Sequence, residues 1–190
     1  MIPFKYISVN QHQLISDKLY EYVLHHTDIL KNAVPWTTLK KDDVLKFVPE
    51  LAVELKKIID ADIEMISIIH RKPKVYGGVH IDSGGLTRML FPVRNCAGSY
   101  TKFFDLNGNT IIEKKGNEGD TFFAISQYDA VNDCIIGNKN PLKEICAAEL
   151  ISPIVFDSGI AHGVYTNPDC LGPRLTATIA FTKDIKYLLQ

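Results

Sequence analysis

Apolar positions in the first sixty residues recur at helical spacing. Leu14, Ile15, Leu19, Tyr22, Val23 and Leu30 form one stripe, the pattern of an amphipathic helix. Asn32 and Pro35 end it, since proline has no amide donor and restricts the residue before it. A second stripe of Val44, Phe47, Leu51, Leu55 and Ile58 predicts helix over residues 42–59, with Asp42 or Asp43 as N-cap. Pro49 lies inside this stretch and either opens a new helix at its first turn or kinks the existing one. Both stripes read as faces packed on a core.

From residue 63 the texture changes to short β-branched and aromatic runs separated by Gly, Asn, Asp and Pro. Strands are predicted at 64–70, 75–82, 87–94, 100–105, 110–114, 121–126, 145–150, 154–156, 161–165 and 175–181. Turn signals fall between them, at 71–73, 83–85, 107–109, 116–119, 138–141, 157–159 and 167–173. Many short, closely spaced strands imply a sandwich, jelly roll or barrel. Helices precede the strands here and do not alternate with them. The expected class is therefore mainly β (α+β), with helices packed on one face of an antiparallel core. No repeat, low-complexity tract or linker interrupts the chain. One domain over residues 1–190 is expected, with a helical buttress over 1–60 and the β core over 63–183.

Charge and composition narrow the partners. The 190 residues carry 21 basic and 22 acidic side chains, a net charge of −1. That balance offers no broad field for nucleic acid and no polybasic membrane patch. Lys40-Lys41, Arg71-Lys72 and Lys114-Lys115 read as solvated turns. The opening MIPFKYISVNQHQ has no apolar signal region, and no stretch has the length and apolarity of a membrane span. Cys96, Cys134, Cys146 and Cys170 form no C-x-x-C pair. Reduced thiols and a cytoplasmic location are expected.

The histidines hold the candidate chemistry. His12, His25 and His26 fall in the helical region, and adjacent helical residues do not share a face. His80 and Asp82 are two apart on a predicted strand, so they project together while Val79 and Ile81 face the other way. An imidazole and a carboxylate so placed are two-thirds of a 2-His-1-carboxylate facial triad, the set that leaves positions open on Fe(II). A structural His–Asp hydrogen bond is the other meaning of such a pair. His162 is the best third ligand, since it follows the Asp157-Ser158-Gly159 turn and is flanked by small residues. His70 competes, but beside Arg71-Lys72 it is expected to face solvent or cap a turn.

The last strand alternates cleanly. Leu175, Ala177, Ile179 and Phe181 share one face and suit the helices, while Arg174, Thr176, Thr178 and Ala180 share the other. That second face puts a guanidinium and two hydroxyls inside the barrel. A buried arginine needs an anionic partner, and a bidentate carboxylate is the natural one. A salt bridge to Asp157 or Asp169 is the alternative.

His80-x-Asp82, then His162 about eighty residues on, then Arg174 twelve later, resembles the Fe(II)/2-oxoglutarate-dependent oxygenase superfamily. The resemblance covers residues 63–183. It implies a double-stranded β-helix, or cupin-like jelly roll, with N-terminal helices on the larger sheet. It implies His80, Asp82 and His162 as iron ligands and Arg174 as the clamp on the distal carboxylate of 2-oxoglutarate, with Thr176 or Arg88 assisting. Arg88, eight residues after His80, is similar to an arginine of the aspartyl/asparaginyl β-hydroxylase branch. Asp82 departs from that branch, which usually has a non-ligating residue there. Residues 95–101 look like short microbial and phage members of the superfamily. Tyr76 shares strand parity with His80 and lines the pocket or packs as a core aromatic.

The implied activity is hydroxylase-type oxidation of a small-molecule, amino-acid or peptide substrate, giving succinate and CO2. Loops near 107–120 and 128–141 are expected to form the substrate mouth. The rival from another class is a cupin-like metal- or ligand-binding protein without turnover. A cupin isomerase or epimerase using a histidine base leaves Asp82 without a task. Oligomeric state is not legible in the pattern.

Overall fold

Antiparallel strand pairing dominates the computed structural model, which describes residues 2–32, 35–73, 78–82, 86–109, 112–115, 121–124, 126–129, 134–137 and 140–190. In chain order the elements are β1 (Phe4–Tyr6), α1 (His12–His26), α2 (Ile29–Asn32), β2 (Trp36–Thr38), α3 (Lys41–Phe47), α4 (Pro49–Lys56) and β3 (Ile63–Arg71). There follow β4 (His80–Asp82), β5 (Thr87–Arg94), β6 (Tyr100–Asp105), β7 (Ile112–Lys115), β8 (Thr121–Ala124), β9 (Ser126–Asp129) and β10 (Cys134–Gly137). The chain closes with β11 (Lys143–Glu149), β12 (Ile154–Asp157), β13 (His162–Tyr165), β14 (Arg174–Phe181) and a 3-10 turn at Lys186–Leu189.

Two six-stranded sheets result, ordered β1-β12-β5-β14-β3-β2 and β11-β6-β13-β4-β8-β7. Successive strands β3, β4, β5 and β6 alternate between the sheets, and β11, β12, β13 and β14 do so again. This interleaving of two antiparallel strand sets is the double-stranded β-helix, so the mainly β, jelly-roll class expected from the sequence is the one observed. β9 and β10 pair as a separate hairpin.

Strand alternation decides what each face meets. Leu175, Ala177, Ile179 and Phe181 of β14 join Ile15, Leu19, Val23, Val44, Leu51 and Leu55 of the helices in the main apolar core. Each fully buried side chain of this kind contributes roughly 1.5–3 kcal/mol. The helices thus cover the outer face of the β1-β12-β5-β14-β3-β2 sheet; both sheets have six strands among the described residues, so the expected larger sheet is instead one of an equal pair. Ser16 Oγ donates to Pro92 O at 2.6 Å beneath α1, and Arg94 lies 5.1 Å from the Tyr20 ring centroid. The interior face, between the sheets, holds a second apolar cluster of Leu90, Phe103, Ala148, Leu150, Ile154 and Phe156.

Local expectations are met in part and corrected in part. Pro49 opens α4, where its missing amide costs nothing, and does not kink a longer helix. The cap position before α3 is Lys40, and Asp42 and Asp43 fall in the first turn, where their charge still suits the helix dipole. The first sixty residues also contribute β1 and β2, which are too short to show a period. The second expected mouth loop, 128–141, contains β10 and the end of β9, which pair antiparallel. Of the predicted strand at 75–82, β4 covers 80–82; residues 74–77 and the turns at 83–85 and 116–119 lie outside the described residues. Among the described residues no helix is long and apolar enough to cross a membrane.

Leu19 is fully buried between α1 and the sheet. Leu19→Ala is expected to lower stability by about 2–5 kcal/mol in urea unfolding, without altering metal affinity of the folded fraction.

Candidate metal centre

β4 and β13 pair so that His162 stands directly opposite His80. Opposed residues on antiparallel strands share a face, and Asp82, two residues past His80, shares it too. The donor atoms of His80, Asp82 and His162 all lie within 4.8 Å of one another. The two imidazole centroids are 4.5 Å apart, and His80 Nε2 is 3.5 Å from Asp82 Oδ1. Ile81 faces the opposite way and packs with Val79, Phe104 and Ala161.

The backbone orients both rings. His80 Nδ1 lies 2.8 Å from Gly78 O, and His162 Nδ1 lies 2.8 Å from Ile160 O. A carbonyl only accepts, so each Nδ1 carries the proton and each Nε2 keeps its lone pair for a metal. His162 is 5% exposed. Burial, reinforced by His80, pulls its pKa from 6.5 down to about 4. The ring is therefore neutral at pH 7, as a ligand must be. Two imidazoles and a carboxylate on one face, with each Nδ1 held by a backbone carbonyl, fit a divalent transition metal.

Neighbouring elements hold this arrangement. Asp82 N donates to Ser158 O at 3.1 Å, tying β4 to the turn before His162. In that turn Asp157 accepts from Gly159 N at 2.9 Å and from Lys186 Nζ at 2.8 Å. Phe156 meets the His162 ring edge-on at 5.1 Å, and Phe103 lies at 6.2 Å. These two aromatics wall the site from inside. Nothing but strand alternation marks them in the sequence.

Arg174 lies on the interior face of β14 and is 1% exposed. Its Nε and Nη1 have no hydrogen-bond partner among the described residues. The anticipated alternative, a salt bridge to Asp157 or Asp169, does not form: Asp157 is engaged by Lys186, and among the described residues no ion pair includes Arg174. Burial is the main cause that lowers its pKa from the usual arginine value. Thr176 shares its face and is fully buried, with Oγ1 4.0 Å from Cys96 Sγ.

The loop leading to Arg174 is fastened by residues 95–101. Asn95 Nδ2 donates to Pro173 O at 3.0 Å, and Asn167 N donates to Ser99 Oγ at 3.1 Å. Gly98 has φ +69°, and a Cβ there would collide with the Asn167 amide, so only glycine suits the position.

The remaining sequence candidates separate. Arg88, on β5, lies beside the triad, with Nε 3.4 Å from Asp82 Oδ2. His70 is buried, contrary to the solvent-facing expectation. It opposes Leu175 and so projects to the helix side, away from the triad. Arg71, read from sequence as part of a solvated turn, is half-buried at the end of β3. His25 and His26 are exposed. Tyr76 lies outside the described residues.

No family model matches this chain, and no curated protein matches it significantly. Solved structures do resemble it. AviO1 from Streptomyces viridochromogenes Tue57 is 9% identical, with a TM-score of 0.49, over 96% of this chain and 91% of its own. Apo HygX from Streptomyces hygroscopicus is 9% identical, with a TM-score of 0.48, over 93% and 80%. HygX with iron bound gives 11% identity and a TM-score of 0.46 over 93% and 81%.

The depressed His162 pKa sets a pH dependence for the metal-free protein. Unfolding restores the ordinary value near 6.5, so the unfolded chain binds more protons between 6.5 and about 4. Stability of the metal-free protein is expected to fall as pH drops through that window. Thermal melts of wild type and His162→Gln check this, the variant showing a shallower decline.

Proposed function

We propose that the protein is an Fe(II)- and 2-oxoglutarate-dependent oxygenase acting on a C–H bond of a small-molecule, amino-acid or peptide substrate. One observation carries the reading: a His80/Asp82/His162 donor set and a fully buried arginine that has no acid partner among the described residues face the same interior. A metal site alone suits many proteins. A buried guanidinium on the same interior, with the Cys96 thiol beside it but no carboxylate among the described residues, calls for a ligand that brings one.

His80, Asp82 and His162 would hold the iron. Iron so held supplies the activation of dioxygen that couples oxidative decarboxylation of 2-oxoglutarate to oxidation of the substrate, leaving succinate and CO2. The chain supplies the rest. Gly78 O and Ile160 O keep both imidazoles in the ligating tautomer. Arg88 holds Asp82 at its second oxygen. Arg174 fixes the far carboxylate of the cosubstrate, and Thr176 shares its face. Phe103 and Phe156 exclude water beside His162, which matters because a dry site limits side reactions.

Two sets of variants test the reading. His80→Ala, Asp82→Ala and His162→Ala are each expected to weaken Fe(II) binding by about 100-fold or more with the fold retained. Wild-type affinity in all three removes the triad. Arg174→Ala is expected to weaken 2-oxoglutarate binding about tenfold or more while iron affinity stays within about twofold. Anaerobic titration with Fe(II) and 2-oxoglutarate, followed by the visible charge-transfer band of the chelate, reads both. A folded, metal-replete protein that gives no band is a cupin-like binding protein instead.

A further inference from the structure

The sheet that holds β14 carries a second arginine beside Arg174. Arg71 is its register partner on β3, so the two side chains project to one face. Trp36 of β2 opposes Ile69, which lies two residues before Arg71 and shares that face. Three adjacent strands thus bring Trp36, Arg71 and Arg174 to one corner of the interior face. All three side chains donate hydrogen bonds and accept none. Among the described residues, Arg174 Nε and Nη1, Arg71 Nε and Trp36 Nε1 are buried without a hydrogen-bond partner. Arg71 Nη1 donates to Pro35 O at 3.1 Å and to His70 O at 3.4 Å. Those carbonyls position the guanidinium without neutralising it. No ion pair among the described residues includes either arginine.

One fully buried and one half-buried guanidinium, with an indole N–H that has no partner among the described residues, make a costly corner in a folded protein. A carboxylate relieves it, since its two oxygens offer about four acceptor positions to these buried donors. We propose that Arg71 and Trp36 complete, with Arg174, a donor-only corner that grips the far carboxylate of the bound 2-oxo acid. Arg71 thereby selects dicarboxylic 2-oxo acids over those with an uncharged end. This rests on the 2-oxoglutarate reading above.

Trp36 is the only tryptophan in the chain, so its fluorescence reports on the corner directly. The full-length protein, loaded with Mn(II), is titrated with 2-oxoglutarate and with 2-oxopentanoate, which has the same chain length and a methyl end. In wild type, 2-oxoglutarate is expected to shift Trp36 emission saturably and to bind at least about tenfold more tightly than 2-oxopentanoate. Arg71→Gln is expected to lose about tenfold in 2-oxoglutarate affinity, with 2-oxopentanoate and Mn(II) affinities unchanged. An Arg71→Gln protein that binds 2-oxoglutarate like wild type, or loses both acids equally, overturns the proposal. Should that variant fail to fold, Arg71→Lys keeps the charge but loses the planar fork; undiminished preference for the dicarboxylic acid then overturns it. Wild-type protein that binds Mn(II) but neither acid overturns the 2-oxoglutarate reading itself, an outcome distinct from failure of Arg71 alone.

Discussion

The antiparallel pairing of β13 with β4, which sets His162 opposite His80, is the contact on which the candidate site depends. A shift of one residue in that register would turn one imidazole to the outer face and dissolve the donor set. The register is held from several directions. β6 flanks β13 on its other side, Asp82 N is tied to Ser158 O, and buried Asp157 shapes the turn before His162. Carbonyls of Gly78 and Ile160, each two residues before its histidine, then fix ring orientation. Strand pairing and tautomer control thus act on the same two side chains.

Charge inside the β-helix is asymmetric. On the sheet that holds β4 and β13, His80 and His162 meet Asp82, which Arg88 also approaches from β5. On the sheet that holds β14 and β3, Arg174 and Arg71 meet no carboxylate among the described residues. Burying cations without anions opposes folding, a cost that the carboxylate ligand proposed above would relieve. The apolar face of the same sheet offsets the cost, since β14 buries Leu175, Ala177, Ile179 and Phe181 under the helices. One strand therefore does two tasks, alternate residues anchoring the core and facing the space between the sheets.

The helical segment accordingly stabilises without contributing to the triad. Its stripes cover the outer face of the sheet that holds β14, and its short strand β2 extends that sheet to Trp36. The segment 95–101 serves a related purpose at the other side of Arg174, bracing the loop from which β14 starts.

Periodicity alone determined much of this protein. Two helical stripes, the alternating last strand and the string of short strands were legible because each depends on residues near in sequence. His80 and Asp82 were legible together for the same reason, being neighbours on one face. His162 and Arg174 were legible only as candidates in an order resembling an oxygenase. Tertiary structure decided the rest, because non-local pairing sets which strands adjoin. It placed His162 against His80, turned His70 to the helix side, left Arg174 without Asp157 or Asp169, and moved Arg88 beside Asp82. It also converted Arg71, a surface charge by local composition, into the neighbour of Arg174. Local sequence fixes which way a side chain points relative to its own strand; only the packing of distant strands fixes what it points at.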